Sequence, residues 1–294
     1  MFNHLLFFLL FETVQPSYAA LAGIMPSQVI VGSLESNAMP VKKGDSIGPV
    51  VEAKSVYSVD ITSGTPLFAR DIFTRRSVAS IAKLITAMVI LDAHNPKEVV
   101  TVSTAAASQE GSRMWLRAGE EITVENLITG MLVNSGNDAA LALAEYDAGS
   151  ESAFVKKMNA KAVQLGLRDS HFSNAKGFDE ATNYSTAFDT MLFSRAALSY
   201  PFIRTVVKIK KGEVASTDGV LKHKLESTNE LLDNPHFQIM GLKTGRTPEA
   251  GESFVALVKA PKNHEILSVM LGSPSRFKET EVVLDWIFRN FEFP

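Results

Sequence analysis

Ser80-Ile81-Ala82-Lys83-Leu84-Ile85-Thr86-Ala87-Met88-Val89-Ile90-Leu91-Asp92 is the stretch on which the reading of this chain turns. A serine and a lysine stand three positions apart at its head. In a helix such positions share one face, so the Lys83 amine lies beside the Ser80 hydroxyl. Behind them Leu84, Ile85, Ala87, Met88, Val89 and Ile90 are apolar on nearly every side, which predicts a helix buried at the centre of the molecule. An ammonium taken out of water must be paired or give up its proton, and a neutral amine beside a hydroxyl is how a serine becomes a nucleophile. The plain alternative is a capping serine with a lysine that snorkels to solvent.

Spacing alone decides nothing, because Ser-x-x-Lys recurs at Ser173 to Lys176 and at Ser275 to Lys278. Only the Ser80 copy opens a long apolar helix, where the serine sits at the positive helix end. Two more short motifs stand out. Ser135-Gly136-Asn137 falls between two predicted helices, where a hydroxyl and an amide across a glycine turn can face one cleft. A helix-capping loop explains it equally, and Ser227-Thr228-Asn229 repeats the pattern. Lys243-Thr244-Gly245, followed by Arg246, suits an anionic carboxylate, and a following strand could offer backbone N–H groups to an oxyanion; otherwise it is a polar turn.

Hydrophobic alternation predicts a hairpin over 53–61 and 66–69, turning at Ser63-Gly64-Thr65, and a short strand at 99–102. Helices are expected over 123–133, 139–146, 150–165 and 186–199, the last ending before Pro201. Four further strands (205–209, 220–225, 254–259, 266–271) and a closing helix over 276–291 follow. Strands at both ends with helices between imply an α/β (α+β) fold, an antiparallel sheet flanked by helices with an inserted helical lobe. That layout makes a cleft between lobes, where sites usually lie.

The 294 residues, 46% apolar and 21% charged, describe an ordinary globular chain with a core of useful size. A net charge of -3, with no run of Lys or Arg longer than two, gives a nucleic-acid partner no electrostatic support. Cysteine is absent, which removes disulfides, thiol nucleophiles and thiolate metal sites. The six histidines lack the paired helical spacing of zinc hydrolases. At the N-terminus, Leu5 to Phe11 is an apolar run too short to span a bilayer, followed by Pro16 and Ser17-Tyr18-Ala19. Residues 1–19 therefore read as a secretory signal peptide, although no Lys or Arg precedes the run. Residues 20–50, rich in Gly, Ser and Pro, read as an extension or linker, and 51–294 as the main domain. No other run is long enough to cross a membrane, so the mature chain is expected to be soluble after export.

The conjunction and order of Ser80, Ser135 and Lys243 carry more weight than any one motif. With Ala79-Ser80-Ile81-Ala82-Lys83-Leu84, Ser135-Gly136-Asn137-Asp138-Ala139, Tyr184-Ser185-Thr186-Ala187 with Asp189, and Gly241-Leu242-Lys243-Thr244-Gly245, the chain resembles the serine penicillin-binding proteins. Within them it is most similar to the low-molecular-mass D-alanyl-D-alanine carboxypeptidases, over roughly residues 50–294. The resemblance implies that Ser80 attacks the carbonyl between two D-alanines to form an acyl-enzyme, with Lys83 as base. It further implies that Ser135 relays a proton and Asn137 positions the acyl chain. Backbone N–H groups of Ser80 and Arg246 would form the oxyanion hole. Lys243, Thr244, Gly245 and Arg276 would serve the terminal carboxylate, with no metal or organic cofactor.

The expected partners are peptidoglycan stem peptides ending in D-Ala-D-Ala, and β-lactams as covalent inhibitors, in the extracytoplasmic or periplasmic space of a bacterium. Class A β-lactamases share the first and third motifs, but resolve their acyl-enzyme with a Glu-x-x-x-Asn element; none is read between Asn137 and Lys243, so fast antibiotic hydrolysis is disfavoured. Two alternatives stay open. The chain stops soon after the closing helix, like soluble endopeptidases that cut cross-links, and a non-hydrolytic β-lactam or peptidoglycan sensor would use the same pocket.

Overall fold

In the computed structural model, which describes residues 38–294, the chain opens with β1 (Val41–Lys42) and the hairpin β2 (Ser55–Asp60) and β3 (Thr65–Arg70). A 3-10 turn over Ala79–Ala82 runs into α1 (Lys83–Ala93). The middle of the chain is β4 (Val99–Thr101), α2 (Thr104–Ala107), β5 (Glu121–Thr123), α3 (Val124–Val133), α4 (Asn137–Ala148), α5 (Glu151–Gln164), α6 (Ala187–Ala197) and α7 (Pro201–Val206). The last third is β6 (Lys211–Ala215), β7 (Lys222–Glu226), β8 (Ile239–Thr247), β9 (Gly251–Lys259), β10 (Glu265–Ser273), α8 (Arg276–Asn290) and β11 (Phe291–Glu292). The segment 1–19, read as a signal peptide, lies outside the described residues.

The principal sheet is antiparallel with strand order β3-β2-β10-β9-β8, so the first hairpin and the last strands meet in one layer as the sequence predicts. Each strand serves two cores because successive side chains point to opposite faces. On β9, Val255 and Leu257 join the core around α1, while Phe254, Ala256 and Val258 pack with Val283, Leu284 and Ile287 of α8. Helix α1 is buried at every position from Lys83 to Ile90, as a helix apolar all round must be. It touches α3, α4, α5 and α6, and is the axle of the helical region. Two further pairs, β4 with β5 and β6 with β7, complete the middle of the chain, and β1 pairs with β11.

Two sequence expectations are corrected here. Residues 205–209, expected as a strand from their β-branched run, end helix α7 and the turn after it; the strand begins only at Lys211. Pro201 occupies the first helical turn, where its missing N–H costs nothing, and buried Ile203, Val206 and Val207 recur at three- and four-residue intervals. Conversely, residues 239–247 form an edge strand that was not expected. Gly241 and Gly245 lower its strand propensity, so Lys243-Thr244-Gly245, expected ahead of a strand, lies inside β8.

Candidate active site

The turn that carries Ser80 is clamped from two sides by glycines. Ala79 has φ 49°, a left-handed conformation that tips Ser80 toward the cleft. A Cβ on Gly245 of β8 would lie 2.9 Å from both the Ala79 Cβ and the Val78 carbonyl oxygen. One on Gly177, itself at φ +82°, would lie 2.0 Å from the Ala79 carbonyl oxygen. Only glycine at these two positions lets β8 and the 174–178 segment press against the turn.

Lys83 is fully buried, so the snorkelling alternative is excluded. Its Nζ lies 2.8 Å from Ser80 Oγ, 2.8 Å from Asn137 Oδ1 and 2.5 Å from the Lys176 carbonyl oxygen. Asn137 Nδ2 donates to the Glu110 carbonyl oxygen at 2.7 Å, which turns Oδ1 toward the lysine. Burial, then the charges of Lys243 and Lys176, hold the Lys83 amine well below the usual lysine range, with Asp138 opposing. A neutral amine has two N–H groups and one lone pair. The two carbonyl oxygens can only accept, so they take the N–H groups, and the lone pair is left for the Ser80 O–H.

Ser135 follows α3 in a left-handed conformation, φ 60°, with its Oγ accepting from Lys243 Nζ at 2.9 Å. Strained backbone of this kind persists only where the surroundings hold it. Lys243, also buried, donates to its neighbour's carbonyl oxygen, Thr244, at 3.0 Å. Burial and the nearby Arg276 charge bring the Lys243 amine down to about 7. Arg276, at the start of α8, donates from Nη1 to the Gly245 carbonyl oxygen at 2.9 Å, and its Nε is buried without a partner among the described residues. Arg246 adds a third cation close enough to depress Arg276 further, beyond the leading effect of burial and against Glu252 and Glu230. Among the described residues no group of three or more His, Asp or Glu side chains is placed to hold a metal ion.

Asp138 supports the other wall. It accepts from the backbone N–H groups of Met114 and Leu116 at 3.1 and 3.2 Å, and Asn137 N donates to the Ser112 carbonyl oxygen at 2.7 Å. The 110–116 loop is thereby tied to the start of α4. Ser185 and Thr186 act at longer range. Thr186 caps α6, whose Asp189 accepts from Asp169 N and Ser170 Oγ, both at 2.8 Å, steadying the segment that leads to Lys176.

Hydrogen bonds join Ser80, Lys83 and Asn137, Ser135 with Lys243, and Arg276 with Gly245, while the Arg246 side chain is exposed, so its proposed part falls to its backbone. Two neighbours of the site were missed. The Lys176 carbonyl belongs to the Ser173-x-x-Lys176 copy that looked like chance; its ammonium is paired with Glu151 Oε2 at 2.9 Å, while Glu151 Oε1 accepts from Ala175 N at 2.9 Å. Thr228, from the second Ser-x-Asn-like copy, meets Thr244 hydroxyl to hydroxyl at 2.5 Å. Backbone and second-layer partners leave no motif in a sequence.

A third point is a correction. The Glu-x-x-x-Asn spacing does occur before Lys243, at Glu230-Leu231-Leu232-Asp233-Asn234. There Asn234 Oδ1 accepts from His236 N and Phe237 N at 2.9 and 2.8 Å, and its Nδ2 donates to Glu281, so the amide organises a turn rather than a water beside Ser80.

A serine and a buried lysine at the head of a central helix, beside the edge strand of a five-stranded antiparallel sheet, define the DD-peptidase and serine β-lactamase type of fold. The crystal structure of the Streptomyces K15 DD-transpeptidase has it, with TM-score 0.77 and 29% identity over 83% of this chain and 100% of that one. The chain belongs to the peptidase S11 family, described as D-alanyl-D-alanine carboxypeptidase, whose model matches residues 41–275. Among its relatives, the D-alanyl-D-alanine carboxypeptidase DacF of Bacillus subtilis (strain 168) is 34% identical over 82% of this chain. The D-alanyl-D-alanine carboxypeptidase of Streptomyces sp. (strain K15) is 31% identical over 82% of this chain and 88% of its own length. The chain spans 63% of the length of DacF, so less than two thirds of that relative is represented.

Proposed function

We propose that this chain is a serine D-alanyl-D-alanine carboxypeptidase that removes the terminal D-alanine of peptidoglycan stem peptides. The observation that carries the reading is the Lys83 amine, fully buried, with carbonyl oxygens at 2.8 and 2.5 Å and Ser80 Oγ at 2.8 Å. Ser80 Oγ attacks the penultimate D-alanyl carbonyl while its proton passes to Lys83. The carbonyl oxygen becomes an oxyanion facing the backbone N–H groups of Ser80 and Arg246. Collapse of that intermediate forms the ester and breaks the C–N bond, and the leaving amine takes a proton through Ser135. Water then hydrolyses the ester and restores Ser80.

Asn137 would position the acyl chain. Lys243, Thr244 and Arg276 would hold the terminal carboxylate, a role that fits three converging cations and an unpartnered Arg276 Nε. Gly245 keeps β8 against the nucleophile. A β-lactam offers the same carboxylate beside a strained amide, and would acylate Ser80 and leave slowly. Action on wall peptides places the protein outside the cytoplasmic membrane, in keeping with the leader read over residues 1–19. Among the described residues no helix is long and apolar enough to cross a membrane.

The experiment is mass spectrometry of the protein after incubation with a penicillin, wild type against Ser80→Ala. A covalent adduct on wild type only is expected; an adduct of equal yield on the variant would refute the assignment. Release of D-alanine from a free pentapeptide, without cleavage of cross-linked muropeptides, separates the carboxypeptidase from the endopeptidase reading.

A further inference from the structure

A cavity of about 540 Å³ is lined in part by Asn134, the neighbour of Ser135 in the chain, and no step of the proposed reaction uses it. Its lining includes Trp115, Arg117, Asn134, Val220 and Lys224. Asn134 immediately precedes Ser135, and the loop bearing Trp115 is the one whose Ser112 carbonyl oxygen holds Asn137 N.

Trp115 is 67% exposed and Val220 73%, so two large apolar side chains stand in water at one place. Trp115 is presented by a left-handed backbone, φ 66°, a conformation that a bulky residue adopts only when its surroundings hold it there. The Arg113 guanidinium lies 3.9 Å from its ring centroid.

The charges around this aromatic are unbalanced. Lys222 is taken by Glu213 at 3.0 Å, and Glu226 by Lys211 at 2.8 Å. The side chains of Arg113, Arg117 and Lys224 form no ion pair among the described residues, although the Arg117 backbone N donates to Glu120 Oε2 at 3.0 Å. In a chain of net charge -3 this is a local surplus of positive charge beside an aromatic wall.

We propose that the cavity is an anion subsite for the donor peptide, taking a carboxylate that lies two or three residues before the scissile D-alanyl bond. Trp115 packs on the peptide body, while Arg117 and Lys224 meet the carboxylate. Extended peptide advances roughly 3.3 Å per residue, so two or three residues cover roughly 7–10 Å, more than the single-residue step from Ser135 to Asn134. The inference rests on the D-alanyl-D-alanine reading above and adds to it a preference for acidic over amidated stems.

The test uses two acetylated pentapeptides ending in D-Ala-D-Ala, identical except for a carboxylate or a carboxamide on the second or third residue before the scissile bond. kcat/KM is measured for wild type, Trp115→Ala, the Arg117→Gln/Lys224→Gln double variant and Arg117→Lys, each normalised to penicillin acylation of the same preparation. Wild type should favour the carboxylate peptide by about tenfold, the worth of one charge-assisted contact, and the preference should shrink with added salt. Arg117→Lys should keep it, the double variant should lose it, and Trp115→Ala should lower kcat/KM for both peptides alike. Equal rates for the two peptides in wild type, or a preference that survives the double substitution, overturn the subsite. So does a double variant whose penicillin acylation falls in step with peptide turnover. Failure of the underlying reading is distinct: neither peptide then releases D-alanine, and Ser80 takes no penicillin.

Discussion

Replacing Gly245 by alanine tests whether β8 must press on the turn that carries the nucleophile. The added methyl would sit 2.9 Å from the Ala79 Cβ and from the Val78 carbonyl oxygen, and 3.2 Å from Ser80 N. Ordinary contact begins near 3.4 Å, so β8 and the turn must part by about 0.5 Å. Neither neighbour is the end of a flexible side chain, so the backbone itself moves. Overpacking of this kind costs about 1–3 kcal/mol of stability. The catalytic cost is larger in proportion, because the two proposed oxyanion donors, Ser80 N and Arg246 N, sit on the two surfaces that separate. Misplacement on the order of 1 Å costs roughly a hundredfold in rate, and loss of one oxyanion donor about 100- to 1,000-fold. Acylation by a fluorescent penicillin, followed by gel, should therefore fall by about two orders of magnitude. A thermal melt should show a folded protein with a lowered midpoint. Acylation within about threefold of wild type would refute the claim that this contact sets the geometry.

Two pH experiments follow from the lysines. Lys83 must be neutral to accept the Ser80 proton, so acylation should fall on acidification through its depressed pKa; Lys243 must be charged to hold a carboxylate, so binding should weaken as pH rises through about 7. A peptide lacking the terminal carboxylate should lose the alkaline limb and keep the acid one; an unchanged alkaline limb would exclude Lys243 as its source. The acid limb is also expected to respond to the Lys176–Glu151 pair, 2.9 Å apart. Lys176→Met removes a nearby positive charge, eases protonation of Lys83 and moves the limb to higher pH, whereas Glu151→Gln leaves Lys176 unneutralised and moves it lower. Coincident limbs in all three proteins would exclude the Lys176–Glu151 pair as a source of the shift, leaving burial and Lys243.

The sequence by itself determined the parts that depend on local pattern. The apolar run after Ser80 marked a buried helix, and it raised the question of the Lys83 proton that burial of the amine then answered. The near-continuous apolar runs 254–259 and 266–271 likewise marked strands, and the structure packs each of them into two cores. Where two local signals competed, the pattern misled: β-branched residues after Pro201 suggested a strand, and glycines at 241 and 245 hid one, because their close approaches to Val207 and Ala79 outweigh propensity.

Tertiary structure alone decided which carbonyl oxygens face Lys83 Nζ. Lys176 lies 93 positions away in sequence, and contributes a backbone atom that every residue possesses. It also decided that the Glu230 to Asn234 spacing is a turn, and that unpaired Arg117 and Lys224 stand beside Trp115. The physical reason is the same in each case. Motifs record side-chain identity at short separation, whereas a site is made of distances, and distances between remote backbone atoms are set only when the chain is packed.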